Sequence, residues 1–310
     1  MIGIVLLGLG GALAYGVGDF FGGVAARARS VFASTTVNYV AATVVLAVVV
    51  AATGGSWSPG AIAAGLVGGA FGLVGFVAFF AALAAGPLSI VSPLIALLNS
   101  AVPVAATVVL GQSLGPVAWI AISIAILGSV LIGIERGERV DGVRPRTIAF
   151  AVVAGLGLGF AAVALDQAPS DAGIIPVLLD AGLGAVVLGS LAALARVLPP
   201  VRRALAFLDE PDEHGGLMES AVAAEGADST EAPRRWLPLA IAAGVLTAVA
   251  NICLMLGLLA GNVAVVAVLI NLYPVSTMVL AWLVLRERLS PVQTVGAVLA
   301  VVASVLLGTG

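Results

Sequence analysis

The sequence has no lysine, one histidine and one cysteine, and each shortage removes a class of chemistry. Without lysine there is no P-loop lysine for nucleotide phosphates, no Schiff-base amine and no Ser-Lys dyad. His214 lies in a polar stretch, so a Ser-His-Asp triad in the membrane, a histidine metal cluster and an intramembrane haem ligand all lack their central residue. Neither a cofactor nor a metal is expected. Cys253 sits inside an apolar run and can form no disulfide within the chain. Charge is the remaining shortage: 9% of residues are charged against 61% hydrophobic, with mean hydropathy +1.21. So few charges cannot wrap a soluble core of that apolar content, which places the chain in a lipid bilayer. A net charge of −3, carried mostly in loops, identifies no partner, and no nucleic acid is expected.

What is present is a series of apolar runs of about 20 residues, the length that a hydrocarbon core of roughly 30 Å asks of a helix. Ten candidate spans stand out, at about 2–25, 31–52, 61–84, 88–110, 117–134, 147–166, 173–195, 237–259, 263–285 and 291–308. Their continuous apolar character lacks the alternation of a barrel, and each segment must satisfy its own backbone, so the fold class expected is an all-α membrane protein. Connections as short as Gly86-Pro87 and Gly261-Asn262 make the flanking spans antiparallel neighbours. The opening MIGIVLLGLGG has no basic residue before its apolar run and reads as a first span, not a cleaved signal peptide. All thirteen basic residues are arginines. They follow odd-numbered spans: Arg27 and Arg29 the first; Arg136, Arg139, Arg144 and Arg146 the fifth; Arg196, Arg202, Arg203, Arg234 and Arg235 the seventh; Arg286 and Arg288 the ninth. The positive-inside rule then puts these loops in the cytoplasm and both termini outside.

The stretch Gly86–Pro116 returns 175 positions later as Gly261–Pro291: Leu94-Ile95 meets Leu269-Ile270, and Leu114-x-Pro116 meets Leu289-x-Pro291. Counting from Ala85 with Ala260, twelve of thirty-two positions are identical, and the Gly and Pro matches fall where they punctuate segment ends. The divisions expected are a five-span repeat at 1–134, an Arg-rich connection at 135–146, spans 6 and 7 at 147–198, an acidic loop at 199–236 and spans 8 to 10 at 237–310. Too few apolar residues lie in the acidic loop to offset the entropy of ordering it, so it reads as a disordered connector with a short amphipathic turn at Arg203 to Leu208.

Tyr273-Pro274, then Leu285-Arg-Glu287-Arg-Leu-Ser-Pro291 and Gly296, resembles an EamA repeat of the drug/metabolite transporter superfamily. The first half keeps the frame with departures, Asn99 standing where Pro274 does, Gln112 where Glu287 does and Ala121 where Gly296 does. The opening Tyr15-Gly-Val-Gly-Asp19-Phe-Phe-Gly-Gly23 is similar to the start of a bacterial branch of that superfamily, and the resemblance covers nearly all of the chain except the acidic loop. It implies a secondary transporter in the cytoplasmic membrane, with ten transmembrane helices arranged as two five-helix repeats. Spans 1–4 and 6–9 would surround a central cavity, with spans 5 and 10 outside. An odd number of spans per repeat inverts the halves, the geometry of alternating access around a midplane site. Many ten-span members are described with both termini cytoplasmic; the arginines argue the opposite here.

Acids within spans are costly and default to a functional reading. Asp19, eight residues before Arg27, lies about 12 Å deep at ~1.5 Å per residue, and is expected to bind a proton, a cation or a substrate amine, or to hold a neighbouring helix. Asp180, beside the small-residue run Ala181-Gly-Leu-Gly-Ala185, is the second candidate. Asn38, Asn99, Asn251 and Asn271 sit deep in apolar runs where each amide needs a partner. Asn271 with Tyr273 and Pro274 is the best cluster, and Tyr15 and Trp282 add aromatic walls. Pro93, Pro103 and Pro274 are candidate helix kinks that free a carbonyl one turn earlier. The partners expected are the lipid bilayer, a small-molecule substrate and a coupling proton or cation; a homodimer is compatible with the sequence. The leading function is export of a small metabolite (amino acid, amine, sugar or drug-like solute). The alternatives are a non-transporting scaffold working through the acidic loop and a lipid-modifying membrane enzyme, the latter short of catalytic groups.

Overall fold

The computed structural model describes residues 2–85, 88–111, 114–133, 145–206, 232–261, 263–273, 275–276 and 291–309, and no strand occurs among them. The helices are α1 (Ile2–Ala28), α2 (Val31–Thr53), α3 (Pro59–Ala85), α4 (Leu88–Val109), α5 (Pro116–Gly133), α6 (Pro145–Asp166), α7 (Ile175–Val197), a short α8 (Pro199–Ala206), α9 (Ala232–Ala260), α10 (Val263–Ile270) and α11 (Pro291–Thr309). Local chemistry sets several boundaries. Ser30 and Ser58 cap α2 and α3, accepting from the Ala33 and Ala61 amides at 3.0 and 3.2 Å. α2 ends at Gly54, whose φ of 75° is open to a residue without a Cβ.

Among the described residues six helices are long and apolar enough to cross a membrane, within α1, α2, α3, α6, α7 and α9. Their 22 to 25 residues reach roughly 33–38 Å at ~1.5 Å per residue. Shorter apolar stretches lie in α4 (Leu94–Val109) and α5 (Pro116–Gly128). α10 stops at Ile270, and residues 277–290, which take in the end of the expected ninth span at 263–285, lie outside the described residues.

Large aliphatic side chains face outward, among them Leu6, Leu13, Val48, Val109 and Val186, while Ala and Gly fill many of the helix contacts. That is the pattern expected where lipid is the solvent and association depends on close packing. α1 packs most extensively on α9, and α3 correspondingly on α6; α2 packs on α9, and α3 on α7; α5 packs on α11. Equating α1 with α6, α2 with α7 and α3 with α9 turns the first member of each of the first two pairings into the second. At one end of the bundle the α2–α3 loop meets the α6–α7 loop, the Ser56 amide donating to the Asp171 carbonyl at 3.0 Å. A Cβ on Gly55 would sit 2.7 Å from the Ala172 carbonyl oxygen, so this loop contact needs glycine.

The acidic stretch is ordered at both ends. α8 covers 199–206 and α9 begins at Ala232, five residues before the expected span, running through Pro238. The helix is possible there because its first turns need not lie in the hydrocarbon, although Pro238, its seventh residue, removes one interior hydrogen bond. The expected amphipathic turn at Arg203 to Leu208 corresponds to an earlier helix, and residues 207–231 lie outside the described residues.

Candidate functional site

α1 to α4, α6, α7, α9, α10 and the turn after it line one cavity, to which α5 and α11 contribute no side chain among the described residues. The register of its walls repeats. Gly72, Phe76 and Phe79 on α3 and Thr247, Asn251 and Leu254 on α9 line it, each residue 175 positions from its counterpart. The spacing that relates Gly86 to Gly261 therefore extends back across a whole helix. The chemistry differs between the two walls, aromatic on α3 and polar on α9.

Seven of the eight residues singled out as pathway candidates line this cavity: Tyr15 and Asp19 from α1, Asn99 from α4, Asp180 from α7, Asn251 from α9, and Asn271 and Tyr273 beyond α10. Asn38 does not. Its amide instead donates to Thr247 Oγ1 at 3.3 Å, joining α2 to α9, and its own Oδ1 has no hydrogen-bond partner among the described residues. The Tyr15 hydroxyl donates to Asn251 Oδ1, tying α1 to α9. Asn99 Nδ2 donates to Asn271 Oδ1 at 2.7 Å, and Asn271 Nδ2 to Ser100 Oγ at 3.0 Å, so these amides form a chain between α4 and the end of α10.

The carboxyls are different. Asp19 is 6% exposed and Asp180 9%, and neither makes a hydrogen bond or ion pair among the described residues. A Cβ on Gly72 would lie 3.1 Å from Asp180 Oδ1, and one on Gly69 2.8 Å from Asp180 Cα, so glycines on α3 make the room for this acid. The small residues after Asp180 serve a neighbouring contact: Gly184 receives the Tyr39 ring.

The prolines behave unequally. α4 runs unbroken through Pro93 and Pro103. α10 ends four residues before Pro274, with the Leu272 amide donating to the Leu269 carbonyl at 3.3 Å, a tightened last turn. Pro274 itself lies outside the described residues, as do Glu287 and His214. Asp166 and Asp171 lie at the α6–α7 boundary, away from the cavity, Asp166 accepting from Gln167 Nε2 at 3.4 Å. Sequence reasoning missed Tyr39, Phe76, Phe79 and Thr247. The one signal that finds three of them is the 175-residue register, which sets Gly72 and Phe76 against Thr247 and Asn251, and Phe79 against Leu254.

The sequence matches the model of the EamA-like transporter family over residues 2–134 and again over 215–309. The chain belongs to the EamA-like transporter family. With its apolar helices, this makes it a multi-pass membrane protein of the drug/metabolite transporter type. No curated protein matches it. Among solved structures 21 chains match. One of them, titled only "Crystal structure of protein", is 17% identical, with a TM-score of 0.66 over 98% of this chain and 95% of that chain. At that identity it shows a shared fold alone. The family match is narrower than the resemblance read from motifs. It leaves out 135–214, and with it α6 and α7, so Asp180 stands on a part of this EamA-like chain that the family model does not reach.

Proposed function

We propose that the chain is a secondary transporter that exports a small metabolite across the cytoplasmic membrane by alternating access, and is not an enzyme. Its ten spans form two inverted five-helix repeats, with the Arg-bearing loops cytoplasmic and both termini outside. The observation that carries this reading is a cavity walled by eight helices of both halves and lined by two buried carboxyls that have no partner among the described residues. Three further observations support it. Helix pairings exchange under the equivalence of the halves. The wall register repeats at 175 residues. The second loop of the first half meets the first loop of the second half at one end of the bundle, as inversion requires. A midplane site between inverted repeats can open to either side by rocking one half on the other. An intramembrane acid without a partner is costly unless it serves a passing ion or substrate, and Asp19 is assigned the coupling proton or cation.

Reconstitution tests this. Flux of pooled labelled amino acids, amines and sugars is measured in proteoliposomes with and without a pH gradient. Gradient-dependent flux that disappears in Asp19→Asn is the expected result. Flux that ignores the gradient and survives the substitution makes Asp19 structural and the protein a facilitator. No flux of any solute removes the transporter reading in favour of a scaffold role.

A further inference from the structure

The lining of the cavity goes beyond transport in general and points to a class of solute; this step rests on the reading of the cavity as a pathway. We infer that the solute is an organic ammonium ion with an aromatic or apolar body, anchored at Asp180, and that carboxylate-bearing zwitterions and anions are rejected.

Charge is the first ground. Asp19 and Asp180 line the cavity, and among the described residues no Arg or His does. Both are at least nine-tenths buried and neither has a hydrogen bond or ion pair among the described residues. A cation entering this space supplies what both carboxyls lack, whereas an anion meets two like charges and no basic group.

The aromatic wall is the second, independent ground. Tyr39 meets Phe76 edge-on at 5.5 Å between ring centroids, Phe76 stacks on Phe79 at 5.9 Å, and Phe79 meets Tyr273 edge-on at 6.2 Å. All four rings line the cavity, so they form a continuous ladder from α2 across α3 to the turn after α10. Gly72, against which Asp180 Oδ1 rests, is one helical turn before Phe76 on the same face of α3. A carboxylate is thereby set beside the ladder, and carboxylate with ring faces is the pairing that holds a desolvated ammonium.

The third ground concerns what a carboxylate would need. Three of the donors that could receive one are already engaged inside the protein. Asn99 Nδ2 donates to Asn271, Asn271 Nδ2 to Ser100, and the Tyr15 hydroxyl to Asn251. Leu158, Leu165, Leu254 and Ile270 make much of the remaining wall, which offers a polyol few partners and an apolar body many.

Four ligands with one body and different head groups test the inference: 2-phenylethylammonium, phenylalanine, 2-phenylethanol and 3-phenylpropionate. Binding to the full-length wild-type chain in lipid nanodiscs is measured by equilibrium dialysis. The ammonium is expected to bind tightest. Phenylalanine and phenylpropionate should be weaker by roughly 30-fold or more, the loss typical of a buried charge left unpaired. Asp180→Asn should weaken the ammonium by a similar factor, and Phe76→Leu by several-fold with Phe76→Tyr restoring it. Equal or tighter binding of phenylalanine or phenylpropionate overturns the inference. So does wild-type affinity in Asp180→Asn, or binding of none of the four. If Asp180→Asn does not fold, the wild-type series decides alone. Failure here alongside flux of another solute in the pooled assay overturns the solute class only; absence of all flux removes the transporter reading itself.

Discussion

The crossing of α3 and α6 should be unusually intolerant of a single methyl group. A Cβ on Gly157 would stand 2.8 Å from Gly75 Cα, 2.9 Å from Gly75 N and 3.0 Å from the Phe71 carbonyl oxygen. The reciprocal Cβ on Gly75 would stand 2.7 Å from Leu158 N. Every one of these neighbours is backbone, so no side chain can turn away and the helices themselves must separate. Gly157→Ala should therefore destabilise the protein by about 1–3 kcal/mol, the usual range for overpacking. Gly75→Ala should do the same. Once the first methyl has parted the helices the second meets less resistance, and the double variant should cost less than the sum by about 0.5 kcal/mol or more. Gly189→Ala on α7, where an added Cβ meets nothing within 4 Å, is the control, and should be neutral or stabilising by up to about 1 kcal/mol through helix propensity. Reversible unfolding in mixed micelles reads all four. Loss in Gly157→Ala no larger than in the control, or strict additivity in the double variant, would refute backbone contact at this crossing.

Other outcomes follow from the same geometry. A double-mutant cycle on Asn99→Ala and Asn271→Ala should return a coupling of about 0.6–1.7 kcal/mol, the range for interhelical hydrogen bonds in membranes; zero coupling would break the amide chain. Tyr15→Phe leaves Asn251 Oδ1 without its donor and should cost about 0.6–1.7 kcal/mol of stability on the same scale, measured by the same unfolding; an unchanged midpoint would contradict the contact. Removing residues 208–230 should leave flux intact, whereas a loss would give the acidic stretch a working role. In a Cys253→Ala background, a cysteine at Ser56 or Gln167 should react with an impermeant maleimide from outside the cell; reaction only after permeabilisation would reverse the orientation read from the arginines.

Much of this architecture is legible in the sequence because lipid simplifies the signal. A run of apolar residues ended by Gly or Pro has little choice but to be a helix, and the predicted ends of α2, α4 and α6 fall within a residue or two of those observed. Asp19, Asp180 and the deep asparagines are visible because polar side chains are rare against that background. The same background hides Phe76 and Phe79, since one more apolar residue in an apolar helix does not say which face turns inward. Tyr39 is hidden for a related reason: its position depends on Gly184, a residue 145 positions away with no motif to link them. Asn38 shows the limit from the other side, being conspicuous in sequence yet turned to Thr247 as a helix contact. α8 is legible only as a short turn set a few residues too late, and the first turns of α9 are not legible at all, because short helices outside the bilayer take their stability from surroundings that composition does not record.

Alternating access is tested most directly by one cysteine in the cavity wall. Ala162, buried on α6 and lining the cavity, is replaced by cysteine in the Cys253→Ala protein, and right-side-out and inside-out vesicles are treated with an impermeant thiol reagent. Modification from both sides, with loss of flux after either treatment, is the predicted result. Modification from one side alone, under every gradient and solute condition that supports flux, would contradict a cavity that opens to each face in turn.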